Sequence, residues 1–260
     1  MDDRLMVDLN CDMGEGFGRY TLGADADLLN WVTSANIACG FHAGDPLVMQ
    51  GVVERALEKG VAIGAHPGLP DLQGFGRREM SLTPEEAEAF LLYQLGALWG
   101  VARAAGGDLT HVKPHGALYN QAARDPSIAR AIARAVVRFR QPLILVGLAG
   151  SELTRAGLEM GLPVANEGFP DRGYREDGSL KPRREPGAVL ESVEAVCKQA
   201  LALVQQGVKV GGKWIRVDTL CIHGDHPQAV TFAQAVRQAL ESEGVRVSPL
   251  PMVIHRNFPA

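Results

Sequence analysis

Four cysteines in 260 residues are too few and too scattered to cross-link a fold. Cys11, Cys39, Cys197 and Cys221 make no C-x-x-C pair, which argues against a disulfide framework or a zinc ribbon and for a reduced, cytoplasmic chain. Long apolar runs are also missing. PLILVGLAG falls far short of the roughly 20 residues a membrane helix needs, and the start MDDRLMVDLN puts acidic residues where a secretory leader carries basic ones. With a formal net charge of -4 and no long basic run, neither nucleic acid nor an anionic membrane is an expected partner. No linker, repeat or low-complexity tract interrupts the chain, so residues 1–260 read as one domain.

A recognisable nucleotide loop is absent too. GVKVGGK (Gly207 to Lys213) matches G-x-x-x-x-G-K, but Trp214 stands where a Ser or Thr would bind magnesium, and the stretch follows a helical pattern instead of a strand. GEGFGR lacks the third glycine of a dinucleotide fingerprint and is followed by too short a segment for a crossover helix. Its glycines suit tight turns.

What is present is an alternation of strands and helices. LMVDLN, SANIAC, VAIGAH, THVKPH, PLILVGL, PVANEGF and TLCIHGD have strand character, with VRVSPL as an eighth candidate. Helical patterns lie between them. PLVMQGVVERALEKG is punctuated by Pro46 and Gly60, TPEEAEAFLLYQLGALWGVARAAGG opens on Thr83, Pro84 and Glu86, and HPQAVTFAQAVRQALESEG is a third. Seven or eight β-then-α units with nearly continuous apolar strands predict a parallel (β/α) barrel.

Polar residues gather at the strand ends. In VDLNCDMGEG, Asp8, Asn10 and Asp12 alternate with apolar residues and so share one face of a strand. His42 follows the second strand, His66 ends the third, and Lys113 and His115 end the fourth. Glu167 lies near the end of the sixth, and His223 and Asp225 end TLCIHGD. In a parallel barrel these ends meet at one mouth, where such folds carry their chemistry.

Taken singly, each residue also has a structural reading. His42 would serve as an ordinary hydrogen-bonded strand-end histidine, and Asp8 as a buried carboxylate paired with a cation beneath the mouth. Histidines recurring at one end of four strands favour a site. His111 and His255 lack that placement and read as structural, and Cys11 alternates away from the polar face.

The motifs DLNCDMGEG, SANIACGFHAGD, GVAIGAHPGLPD, FGR, YQLGAL, HVKPHGALYN, LVGLAGSEL, PDRGY, G-S-L-x-P-R and IHGD, in this order, resemble those of the LamB/YcsF family. His226 after HGD and the tail PMVIHRNFPA are not part of that pattern. The resemblance covers nearly the whole chain. It implies a 5-oxoprolinase component: ATP-dependent hydrolytic opening of 5-oxo-L-proline to L-glutamate, carried out with separate B and C subunits. It also implies a barrel similar to the glycoside hydrolase/deacetylase type, usually seven-stranded.

For that chemistry Asp12 is the candidate to activate water, and His66, His115 or His223 to protonate the departing nitrogen. Lys113 and Arg77 are the candidate cations for a substrate carboxylate or a developing phosphate. Asp8, Asn10, His42, Arg77, Glu167 and Asp225 are expected around the substrate. A divalent metal would find ligands in Asp12, His66 and His115, although no H-x-x-x-H pair supports it by spacing. Two other classes stay open: a stand-alone metal-dependent deacetylase or amidohydrolase, and a non-catalytic subunit that binds the lactam for a partner.

Overall fold

The computed structural model describes residues 5–257. The acidic start read against a secretory leader and the last three residues of the tail lie outside them. In chain order the strands are β1 (Met6–Met13), β2 (Ser34–Ala38), β3 (Ala62–His66), β4 (His111–Val112), β5 (Ile144–Leu148), β6 (Val164–Gly168), β7 (Val208–Val210), β8 (Lys213–Ile215), β9 (Thr219–Ile222) and β10 (Arg246–Val247). The helices are α1 (Asp25–Leu28), α2 (Pro46–Glu58), α3 (Pro84–Ala104), α4 (Gly116–Arg124), α5 (Pro126–Phe139), α6 (Glu152–Glu159), α7 (Val193–Gln206), α8 (Ala229–Ser242) and α9 (Leu250–Asn257).

Strands β1, β2, β3, β4, β5, β6 and β9 pair in that order, all parallel, and β9 pairs back onto β1 to close a seven-stranded barrel. The eighth candidate, VRVSPL, is not a stave. It contributes β10, which pairs with Met6 and Val7. The carbonyl of Val7 accepts from the Ser248 amide, and that of Leu9, two residues on, accepts from the Thr33 amide. Residues two apart on a strand present their backbone groups to the same edge, so β10 lies on the β2 edge of β1, below β2. The fourth strand is shorter than THVKPH suggested, because Pro114 has no N–H to continue the ladder.

Helix starts follow the local chemistry. Asp45 caps α2 by accepting from the amides of Leu47 and Val48, and Thr83 with Glu86 forms a reciprocal capping box on α3. The third helix read from sequence begins only at Ala229, since the Gln228 amide bonds to His226 Nδ1 in a preceding turn. GVKVGGK is the β7–β8 hairpin. Gly211 and Gly212, at φ 55 and 81, make the two-residue turn that only left-handed residues fit.

The outward residues of β1, Val7, Leu9, Cys11 and Met13, belong to the apolar core between barrel and helices. At the N-terminal end of the barrel, Leu250 and Ile254 of α9 pack on Ile144, Val146 and Ala165 and plug it. All four cysteines are free. No helix among the described residues is long and apolar enough to cross a membrane.

Candidate functional site

Inside the barrel the side chains form a polar column that rises from the plug to the open end. At its base Asp8 accepts hydrogen bonds from Ser34 Oγ (2.6 Å), Thr219 Oγ1 (2.6 Å) and Thr33 Oγ1 (2.8 Å). Burial outweighs these donors and pushes its carboxyl up to about 6. One layer up, Asn10 donates to Thr219 Oγ1 and to Glu167 Oε1, and its own oxygen accepts from Asn36. Lys113 Nζ then bridges two carboxylates, 2.8 Å from Asp12 Oδ1 and 2.8 Å from Glu167 Oε1. Tyr119 holds the other oxygen of Glu167 at 2.8 Å.

These contacts set charge states. Burial opposes ionisation of both Asp12 and Lys113, but each is outweighed. His66 and Lys113 hold the Asp12 carboxyl well below its usual range, and Asp12 with Glu167 holds the Lys113 ammonium well above its own. Asp12 is therefore an ionised carboxylate at the top of the column.

Beside it lies a histidine cluster. His66 Nδ1 is 2.8 Å from the Lys113 carbonyl, and His115 Nε2 is 2.8 Å from the Phe75 carbonyl. A carbonyl only accepts, so those two nitrogens carry hydrogen and the opposite ones, His66 Nε2 and His115 Nδ1, face each other at 2.9 Å. His42 stacks on His115 with ring centroids 3.8 Å apart. Glu15 Oε1 lies 3.5 Å from His115 Nδ1 and 3.6 Å from a His42 nitrogen. Burial, reinforced by neighbouring histidines, depresses His42 well below its usual value and His115 to about 3. Burial, with Asp12 and Asp225 nearby, raises Glu15.

Glycines make room for these rings. A Cβ on Gly68 would lie 2.4 Å from His42 Nδ1, and one on Gly76 would lie 2.7 Å from His42 Cβ.

Above both groups opens a cavity of about 760 Å³. Asp12, Glu15, His66, Lys113, His115 and His223 reach its surface. His223 is anchored through Nδ1 to Asp171 at 2.7 Å and stacks on Phe169. Burial would raise the Asp171 carboxyl, but His223 outweighs it and lowers it. Arg77 and Asp225 pair across the rim at 2.6 Å. Arg183 also lines the cavity, and among the described residues no carboxylate stands within ion-pair distance of it.

Of the residues expected around the substrate, Arg77 and Asp225 line the cavity, whereas Asp8, Asn10, His42 and Glu167 lie beneath its surface. Asp8 meets three hydroxyls there, not the Lys or Arg of its structural reading. Asp12, a metal candidate by sequence beside His66 and His115, has Oδ1 engaged by Lys113 and Asn36 and Oδ2 3.3 Å from His66 Nε2, and the fourfold donor group consists of Glu15, His42, His66 and His115. His111 bonds Asn36 inside the barrel, in space that Gly64 leaves open, and His255 is exposed on α9.

Five residues escaped the sequence reading: Glu15, Asn36, Tyr119, Asp171 and Arg183. Glu15 has the wrong parity for the polar face of β1. Gly14, at φ 70, breaks the period of two and turns Glu15 into the mouth. Asn36 was findable, since Ser34 and Asn36 alternate in SANIAC as Asp8 and Asn10 do in β1. Asp171 sits in a loop and Tyr119 on α4, where no strand period marks them.

The chain shares this architecture with known proteins. The LamB/YcsF family model matches residues 7–255. The A subunit of 5-oxoprolinase from Pyrococcus abyssi is 51% identical over 250 residues, covering 95% of this chain and 98% of that one. The crystal structure of a lactam utilization protein from Thermus thermophilus superposes with a TM-score of 0.87 at 48% identity, covering 94% of this chain and 99% of that one. The catalytic domain of a peptidoglycan N-acetylglucosamine deacetylase from Eubacterium rectale shares the fold alone, with a TM-score of 0.52 at 13% identity over 96% of this chain and 90% of that one. A match across almost the entire length, with Asp12, His66, Lys113, His115 and His223 gathered at one cavity, makes this chain a member of the LamB/YcsF family.

Proposed function

We propose that this chain is the A subunit of a cytoplasmic 5-oxoprolinase and opens 5-oxo-L-proline to L-glutamate with partner subunits B and C and ATP. The observation that carries the reading is its roughly half identity, over almost full length, to proteins named as the A subunit of 5-oxoprolinase.

A five-membered lactam resists opening because its amine and acyl carbon are held together, an advantage that can reach an effective molarity on the order of 10⁵ M or more. Transfer of a phosphoryl group from ATP to the amide oxygen makes the ring carbon a better electrophile. Water then adds to that carbon, phosphate departs and the C–N bond breaks, giving glutamate, ADP and phosphate.

Asp12 takes the proton from water in this reading, which its ionised carboxylate and its position on the cavity wall support. Lys113 lies between Asp12 and Glu167 and acts by holding Asp12 charged and oriented. His223, fixed through Nδ1 by Asp171, has its other nitrogen free to give a proton to the departing nitrogen. Arg77 and Arg183 are the cations for the substrate carboxylate and the phosphoryl oxygens. His66 and His115 belong with Glu15 and His42 to a group of metal-ligand type, where a bound divalent ion supplies Lewis acidity and an acidified water.

The test is reconstitution of the purified chain with its cognate B and C subunits, ATP and 5-oxoproline, with glutamate and ADP measured. Glutamate is expected only from the complete mixture. Failure of the assembled complex overturns the substrate, and ATP-dependent turnover by the isolated chain overturns the need for partners. Metal-dependent hydrolysis of an acetamide by the chain alone would install the deacetylase reading, which the Glu15–histidine group favours.

A further inference from the structure

We propose that Glu15, His42, His66 and His115 bind one first-row divalent metal ion, with Asp12 outside the ligand set. Their donor atoms all lie within 4.8 Å of one another, and all four residues are buried. Glu15 Oε1 and both nitrogens of His42 are buried without a hydrogen bond, a state that ordinarily costs about 1–3 kcal/mol per group.

A proton is the simplest cation that could occupy the cluster, but one proton links only a pair of donors and cannot partner all four. Placed on His66 Nε2, it serves His115 Nδ1 at 2.9 Å or Asp12 Oδ2 at 3.3 Å. It leaves Glu15 Oε1 and His42 unpartnered. An ion among the four donors would take Glu15 Oε1 and one of the two His42 nitrogens together.

The surroundings agree with that assignment. His66 and His115 each give their outer N–H to a backbone carbonyl, the arrangement that fixes the tautomer and aims the bare nitrogen at a metal. Three imidazoles and one carboxylate suit zinc or iron better than magnesium or calcium, which prefer all-oxygen shells. His42 and His115 are stacked in parallel, so coordination by both requires one ring to tilt. Beyond the four protein donors, an oxygen entering from the cavity would be a fifth ligand, a number that zinc accepts. Any catalytic use of the ion rests on the hydrolase reading above, whereas its binding does not.

The experiment uses the isolated full-length chain, without ATP or partner subunits. Protein stripped with a chelator is titrated with Zn²⁺ and with Co²⁺, and bound metal is counted by elemental analysis. One ion per chain is expected, with visible Co²⁺ absorption bands. Glu15→Gln and His42→Ala should each weaken binding about ten-fold or more, and the exposed His255→Ala should leave it unchanged. X-ray absorption of the zinc-loaded wild type should show imidazole scattering, which decides the ligand type even if a variant fails to fold. Absence of stoichiometric binding by the wild type, or binding indifferent to both substitutions, overturns the site. Either result leaves the 5-oxoproline assay to be judged separately.

Discussion

Replacing Lys113 with methionine removes the cation that touches both Asp12 and Glu167, and leaves two carboxylates facing each other inside the barrel. Nζ lies 2.8 Å from each, and the lysine is 3% exposed. Removing one partner of a buried pair costs about 3–5 kcal/mol, because the remaining charge is stranded. Domains are typically stable by only about 5–15 kcal/mol. For a chain of this size each kcal/mol shifts the melting temperature by roughly 2–4 °C, so Lys113→Met should melt about 6–20 °C lower.

Adding Glu167→Gln removes one stranded charge and keeps an acceptor for Tyr119, while Asp12 retains His66 and Asn36. The double variant should regain about 1–3 kcal/mol over the single one. Urea unfolding and thermal melting of the isolated chain at pH 7 measure both. A loss below about 1 kcal/mol, or a double variant no more stable than Lys113→Met, would refute the view that Lys113 neutralises this pair.

Asp12→Asn, His66→Ala and His115→Ala should each lower glutamate formation by the reconstituted complex about 10²- to 10⁴-fold, while His255→Ala changes it little. Melting each variant separates chemistry from unfolding, and near-normal turnover in the first three would misplace the site. Asp171→Asn should lower kcat and displace the pH profile of the reaction, since His223 loses the carboxylate at 2.7 Å that orients it; a fall in activity with an unmoved profile would make Asp171 merely structural. Asp8→Asn tests the base of the column through pH. The folded carboxyl titrates near 6 against an ordinary value of 3.8, so its contribution is fully present below pH 3.8 and is lost as pH rises through 6, by about 3 kcal/mol in all. The variant should therefore gain stability relative to wild type between pH 5 and pH 8, and a constant difference across that range would exclude titration of Asp8.

The barrel was legible because its strands are short apolar runs separated by well-capped helices, a pattern set by local chemistry. The seventh and eighth candidates were harder to tell apart. TLCIHGD and VRVSPL look alike as strings, and only pairing on β1 shows that the first closes the barrel and the second tucks under β2. The polar face of β1 was readable from period two alone, and so was the gathering of strand-end histidines at one mouth. Glu15 was not, because a single left-handed glycine reverses the parity of the strand before it. Nor was depth. Asp8 and Asp12 look equivalent in sequence, yet one is held by three hydroxyls at the bottom and the other meets the cavity.

The plug made by Leu250 and Ile254 of α9 turns the barrel into a blind well. If the proposed reaction holds, reactant and product share the mouth that the described residues leave open, so traffic through it is sequential, and a molecule of glutamate has to leave before the next lactam can settle. A partner subunit that delivers substrate over that rim would also trap what has been made beneath it. Its departure, or a shift away from the Arg77–Asp225 pair, then becomes a step on which turnover can wait.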